Sequence, residues 1–218
     1  MRKNLTELVF ILDRSGSMTG LESDTIGGYN AMLEKQKQEE GEAFVTTILF
    51  DDEYEILHNR VNIKRVKPIT DCEYYVRGMT ALLDAVGKTI NKTVKAIIKS
   101  DEEEQPSNVM FVIITDGMEN ASREYSYEKI KQMIEHEKRK YSWEFIFLGA
   151  NIDAIATAAK FGIDEDKASN YHADSLGTML NFESVSDAVS NFRAGISIDR
   201  NWKENIELDY EIRRKEKN

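Results

Sequence analysis

The chain has 218 residues, 41% of them hydrophobic and 31% charged, with a formal net charge of -10, two prolines and one cysteine. This balance suits one globular domain with a three-layer core, and its acidity argues against nucleic acid or an anionic membrane as partner, since either needs a basic stripe to neutralise phosphates. A single cysteine excludes an intrachain disulfide, and no segment approaches the roughly 20 apolar residues of a membrane span.

Residues 8–12, Leu-Val-Phe-Ile-Leu, are an unbroken apolar run without alternation, the pattern of a strand buried on both faces of a parallel sheet. Arg2 and Lys3 precede it, but the run is too short for a signal peptide, and the expected location is cytoplasmic. The run stops at Asp13. Ser15 and Ser17 follow at every second position, with Gly16 between them where the backbone must turn. Three oxygen-bearing side chains thus gather beyond a strand's carboxyl end, where open α/β sheets bind their ligands. One carboxylate and two hydroxyls suit a hard cation, Mg²⁺, Mn²⁺ or Ca²⁺. The plain alternative is a strand-to-helix turn with Ser17 as its N-cap.

Near-helical spacing predicts a helix over 18–38, where Gly27-Gly28 would let it lie close on the sheet. A strand at 43–50 and a polar turn, Asp51-Asp52-Glu53, lead to an alternating strand at 54–61 that reads as an edge. After an irregular connection over 63–78, an amphipathic helix is expected over 81–100, carried by Leu82, Leu83, Val86, Ile90, Val94, Ile97 and Ile98. Thr80 stands at its start, where a plain N-cap is the ordinary role. Gly87-Lys88-Thr89 resembles the end of a phosphate-binding loop, but Leu82 occupies the place of that motif's first glycine.

A second continuous apolar strand is expected over 108–115, and it too ends in a carboxylate and a glycine, Asp116-Gly117. Beyond it come a charged helix at 127–140, a buried strand at 143–148, a short helix at 152–161 and a last strand at 168–172. A closing helix over 176–198 is followed by a charged stretch from 201, expected as a solvated helix or a frayed tail. The alternation predicts an α/β fold: three layers, doubly wound, with a mostly parallel sheet and one antiparallel edge strand. Glu119 and Asn120 either support the site or cap the next helix, the latter being preferred; Asn151 and Asp153 either border the site's rim or cap the short helix. His58, His136 and His172 show no triad or zinc spacing, and Cys72 reads as an incidental or buried thiol.

Three features therefore stand together: Asp13-x-Ser15-x-Ser17, a threonine opening a helix in Gly78-Met79-Thr80, and Thr115-Asp116-Gly117 after a buried strand. On these residues the chain resembles the von Willebrand factor A (vWA) domain family, matching its DxSxS, GxT and TDG elements. The resemblance covers roughly residues 5–171, so a vWA domain is expected over 1–175 and a C-terminal helix with a charged tail over 176–218. It implies a metal-ion-dependent adhesion site (MIDAS) with no catalytic residues. Ser15, Ser17 and Thr80 would bind the ion through hydroxyls, Asp13 and Asp116 directly or through water, and a partner protein's carboxylate would complete the coordination. Bacterial members of the family often act beside an ATPase, which the resemblance suggests as a partner. The alternatives are a Mg²⁺-dependent phosphoesterase, for which no base or nucleophile motif is apparent, and an α/β scaffold with a purely structural metal.

Overall fold

The computed structural model describes residues 5–216, so Arg2, Lys3 and the last two residues of the expected tail lie outside it. Strands and helices alternate: β1 (Leu5–Asp13), α1 (Glu22–Gln38), β2 (Glu42–Phe50), β3 (Tyr54–Asn62), α2 (Leu82–Lys99), β4 (Asn108–Thr115), α3 (Tyr127–Tyr141), β5 (Glu144–Ala150), α4 (Ala154–Lys160), β6 (Ala168–Tyr171), α5 (Ser175–Arg193) and α6 (Glu204–Glu216). The sheet order is β3-β2-β1-β4-β5-β6. Every neighbouring pair is parallel except β2 and β3, so the alternating strand is indeed the antiparallel edge.

Every residue of β1 is buried, as its unbroken apolar run requires of a central strand covered on both faces. Because side chains alternate along a strand, Leu8, Phe10 and Leu12 join a core with Tyr29 of α1 and Phe182 and Val185 of α5. Val9 and Ile11 join the opposite core with Leu82 and Val86 of α2, Ile130 of α3 and Ala154 of α4. The register sets the site. Leu12 lies opposite Ile114, so β1 and β4 end side by side and the next residues of both strands emerge together.

Some boundaries differ from expectation for identifiable reasons. Residues Gly16–Met18 form a 3₁₀ turn, and α1 begins only at Glu22. Gly28 packs against α5 rather than the sheet, since a Cβ there would lie 2.3 Å from a Phe182 ring carbon, whereas one on Gly27 would meet nothing within 4 Å. Ile98, expected on the buried face of α2, is 71% exposed in its last turn. Helix α5 stops at Arg193, and Gly195 follows with φ of 76°, a left-handed conformation that suits glycine. The charged C-terminal segment is helical and seated rather than wholly solvated. Trp202, Lys203 and Ile206 are buried. The Lys203 ammonium donates to Glu165 O (2.8 Å) and Ala168 O (2.7 Å) and pairs with Glu207 (2.8 Å), so a long charged side chain buries its stem while satisfying its head.

Candidate metal centre

The centre begins where β1 ends. Asp13 Oδ1 accepts the Ser15 amide at 2.7 Å, a local turn that folds the chain back over the strand end. Its other oxygen accepts the Thr115 hydroxyl at 2.5 Å, across from β4. The Ser15 and Ser17 hydroxyl oxygens then lie 3.1 Å apart; Thr80 Oγ1 donates to Ser15 Oγ at 3.0 Å, and Ser17 Oγ donates to Asp116 Oδ1 at 2.5 Å. The structure thus brings Asp13, Ser15, Ser17, Thr80 and Asp116 into one cluster built from three loops. Four of the five are buried and Ser17 is exposed, so the cluster opens to solvent on the serine side.

Thr80 arrives through a loop stitched to both of its neighbours. Gly16 N donates to Gly78 O (3.2 Å), Met79 N to Asp52 Oδ1 (3.1 Å) and Ala81 N to Asp51 O (2.9 Å). Gly78 has φ of 66°, and a Cβ there would fall 1.8 Å from Asp52 Oδ1, so this turn requires glycine. Thr80 does not act as a helix cap. Helix α2 starts at Leu82, and the amides of Leu83 and Asp84 are taken by Glu119 Oε2 (2.9 Å) and Ser122 Oγ (3.0 Å). Contrary to the sequence expectation, Glu119 and Asn120 do not cap α3; Ser126 does, accepting from Lys129 N at 3.2 Å. Local sequence carries no signal for a cap supplied from another loop. Asp153 caps α4 through Ala156 N at 2.9 Å, the plainer of its two readings.

The electrostatics of the cluster suit a cation. Burial raises the Asp13 carboxyl to about 6, against hydrogen bonds from Thr115 and Ser15 that lower it, with the Asp116 charge adding to the rise. Burial likewise raises Asp116, against the Ser17 hydroxyl. Among the described residues, none of the groups that shift either carboxyl is a cation. Asp116 Oδ2 is buried without a hydrogen-bond partner among them, a state that ordinarily demands an explanation such as an ion. Gly117 leaves the space clear: a Cβ there would lie 2.9 Å from Ser17 Oγ and 3.2 Å from Thr80 Oγ1. Among the described residues no three His, Cys, Asp or Glu side chains are grouped to hold a metal, so any ion here must rely on the hydroxyls. Two carboxylates and three hydroxyls fit a divalent ion with oxygen preference.

Arg14, inside the Asp13 motif, has a role that its position did not announce. Its side chain is fully buried and turned away from the cluster, with Nε 3.0 Å from Asp51 Oδ2 and NH1 2.8 Å from Glu55. The histidines stand apart. His58 bonds Thr47, His136 packs edge-on to Tyr141, and His172 stacks on Tyr210. Cys72 is exposed and free, which leaves the incidental reading.

No family model and no curated protein matches the chain. Solved structures do. A von Willebrand factor type A structure from Catenulispora acidiphila superposes with a TM-score of 0.56 at 12% identity, covering 87% of this chain and 43% of that one. The chain has the vWA fold. Proximal thread matrix protein 1 from the mussel byssus, in a structure with its MIDAS motif occupied by zinc, matches at 0.56 and 12% identity over 85% of this chain and 46% of the other. The manganese-loaded TRAP protein of Plasmodium vivax matches at 0.57 and 14% identity over 84% and 74%. The chain thus spans less than half the length of the first two. At these identities the likeness is one of vWA fold, and two of these proteins hold a divalent ion. No helix among the described residues is long and apolar enough to cross a membrane.

Proposed function

We propose that the chain is a divalent-metal-dependent protein-binding module rather than an enzyme. Asp13, Ser15, Ser17, Thr80 and Asp116 would hold the ion, and a carboxylate of a partner protein would complete its coordination. The observation that carries this reading is Asp116 Oδ2, buried and unpartnered beside a run of converging hydroxyls. Two carboxylates offset the charge of a divalent ion, while neutral hydroxyls leave it attractive to one more anionic oxygen. The bound ion would supply Lewis acidity, and the protein would supply the dry cradle and the exposed side at Ser17. Against the phosphoesterase alternative, all three histidines are engaged elsewhere. On the resemblance alone, the proposal extends to Mg²⁺ as the cellular ion, the cytoplasm as the location and an ATPase of the same pathway as a partner.

The test is thermal unfolding with and without saturating Mg²⁺ or Mn²⁺, paired with affinity capture. The ion should raise the melting temperature of the wild type but not of Asp13→Ala, and captured protein should be released by chelator and be missing with Thr80→Ala. Melting curves indifferent to metal would remove the ion from the account. Mg²⁺-dependent phosphatase turnover that disappears in Asp116→Asn would replace the module with an enzyme.

A further inference from the structure

A threonine just ahead of a helix ordinarily turns its hydroxyl onto the first-turn amides, which otherwise have no partner. The Thr80 hydroxyl accepts none of these amides and donates to Ser15 Oγ instead. The β4–α3 loop, the same loop that begins at Asp116, takes over the task. Asn120 grips both backbone groups of Thr80: its Oδ1 accepts Thr80 N at 2.9 Å and its own amide donates to Thr80 O at 3.0 Å. Ala121 N adds a second bond to the same carbonyl at 3.2 Å. Glu119 Oε2 accepts Leu83 N at 2.9 Å, an anion at a helix N-terminus, where the helix dipole favours it. The Ala121 and Ser122 amides orient that carboxylate at 3.0 and 2.7 Å. The helix answers in kind, since Asp84 accepts the amides of Arg123, Glu124 and Tyr125 at 2.9 to 3.0 Å.

We infer that Asn120 and Glu119 are the positioning residues of the metal centre: Glu119 caps α2 in place of Thr80 and Asn120 fastens the Thr80 backbone, which leaves the Thr80 hydroxyl to the site and locks its loop to the Asp116 loop as one body. This rests on the reading of Thr80 and Asp116 as ligands of a common ion. Neither residue would be a ligand of the ion: Asn120 acts through the Thr80 backbone and Glu119 through the first turn of α2. Two consequences follow. Metal affinity depends on Asn120 although it donates nothing to the ion, and that dependence vanishes once the Thr80 hydroxyl is gone.

The experiment measures Mn²⁺ binding calorimetrically on the full chain, with metal-free melting temperature and amide hydrogen exchange alongside. Asn120→Ala should weaken Mn²⁺ binding about 10- to 100-fold, the range typical of residues that orient metal ligands. In the Thr80→Ala background the same substitution should change affinity less than about twofold, because residues acting in series are not additive. In metal-free protein the Thr80 amide should lose exchange protection in Asn120→Ala and keep it in Asn120→Asp, which retains the accepting oxygen; this second variant carries the test if the alanine variant does not fold. Asn120→Ala that melts earlier yet binds Mn²⁺ like the wild type would reduce Asn120 to a structural residue and overturn the inference. Equal losses in both backgrounds, or an unprotected Thr80 amide in Asn120→Asp, would do the same. Failure of the wild type itself to bind Mn²⁺ is a separate result, and it strikes the metal reading rather than the clamp.

Discussion

Arg14 and Asp51 form an ion pair 3.0 Å long in which neither side chain is exposed. Arg77 shares the same carboxylate oxygen at 2.7 Å, and its amide donates to the Arg14 carbonyl at 2.9 Å. The one positive charge inside the Asp13 motif is thereby held within the protein on Asp51 and neutralised, so it does not oppose a cation in the cluster. The same pair ties the β2–β3 turn to the loop that delivers Thr80. Losing Asp51 takes the buried partner from Arg14 and leaves it only the more exposed Glu55; breaking a buried pair costs about 3–5 kcal/mol. Asp51→Asn should therefore lower the melting temperature by about 6–20 °C for a chain of this size. A fall of only about 2 °C in a thermal melt would refute this account of Arg14.

Gly117 is the cradle's weak point. Because a Cβ there would crowd Ser17 Oγ and Thr80 Oγ1 at 2.9 and 3.2 Å, Gly117→Ala should push the serine hydroxyl off Asp116 while leaving the sheet intact. The expected result is Mn²⁺ binding weakened about tenfold or more, with a metal-free melting temperature close to the wild type. Undiminished affinity would show that the hydroxyl cluster tolerates an added methyl group.

Glu7 is buried in β1, where Arg60 Nε (2.8 Å) and Thr46 Oγ1 (3.1 Å) donate to its carboxylate. Burial raises its carboxyl above the ordinary 4.5, outweighing the lowering by Arg60 and Thr46. The folded chain then holds this proton more tightly than the unfolded chain, so folding takes up protons just above pH 4.5. This contribution to stability falls as pH rises through that window to the folded value and is level beyond it. Glu7→Gln removes it, so the stability of the wild type relative to the variant should decline with rising pH. Urea unfolding at a series of pH values measures this, and a difference independent of pH would contradict it.

The seat of α6 can be tested at Lys203. Lys203→Ala removes a donor from Ala168 O and one of the two donors to Glu165 O, which keeps the Ala168 amide, and leaves Glu207 only Arg200 at 3.9 Å. A buried acceptor that loses its donor costs about 1–3 kcal/mol, so a loss of roughly that size is expected in guanidinium unfolding. The rise in melting temperature with metal should persist, since the residue packs at β6. A variant as stable as the wild type would mean that α6 contributes little to the fold.

Much of this protein was legible in the chain because the deciding signals are local. Unbroken apolar runs at 8–12 and 109–114 mark strands buried on both faces, and a carboxylate and a glycine at each strand end mark where side chains leave the sheet. From these, the α/β fold with its antiparallel edge and the five oxygen donors followed by spacing and resemblance. What the tertiary structure alone decided are relationships between segments far apart in the chain. Arg14 turns from the cluster toward Asp51, Glu119 and Asn120 serve α2 instead of α3, Ile98 ends in solvent, and Lys203 carries its charge into the protein. Each of these depends on which loops the strand order sets side by side. Periodicity and punctuation describe a residue's immediate neighbours, whereas the partner of a buried charge or a bare amide is whichever group the folded sheet brings within about 3 Å.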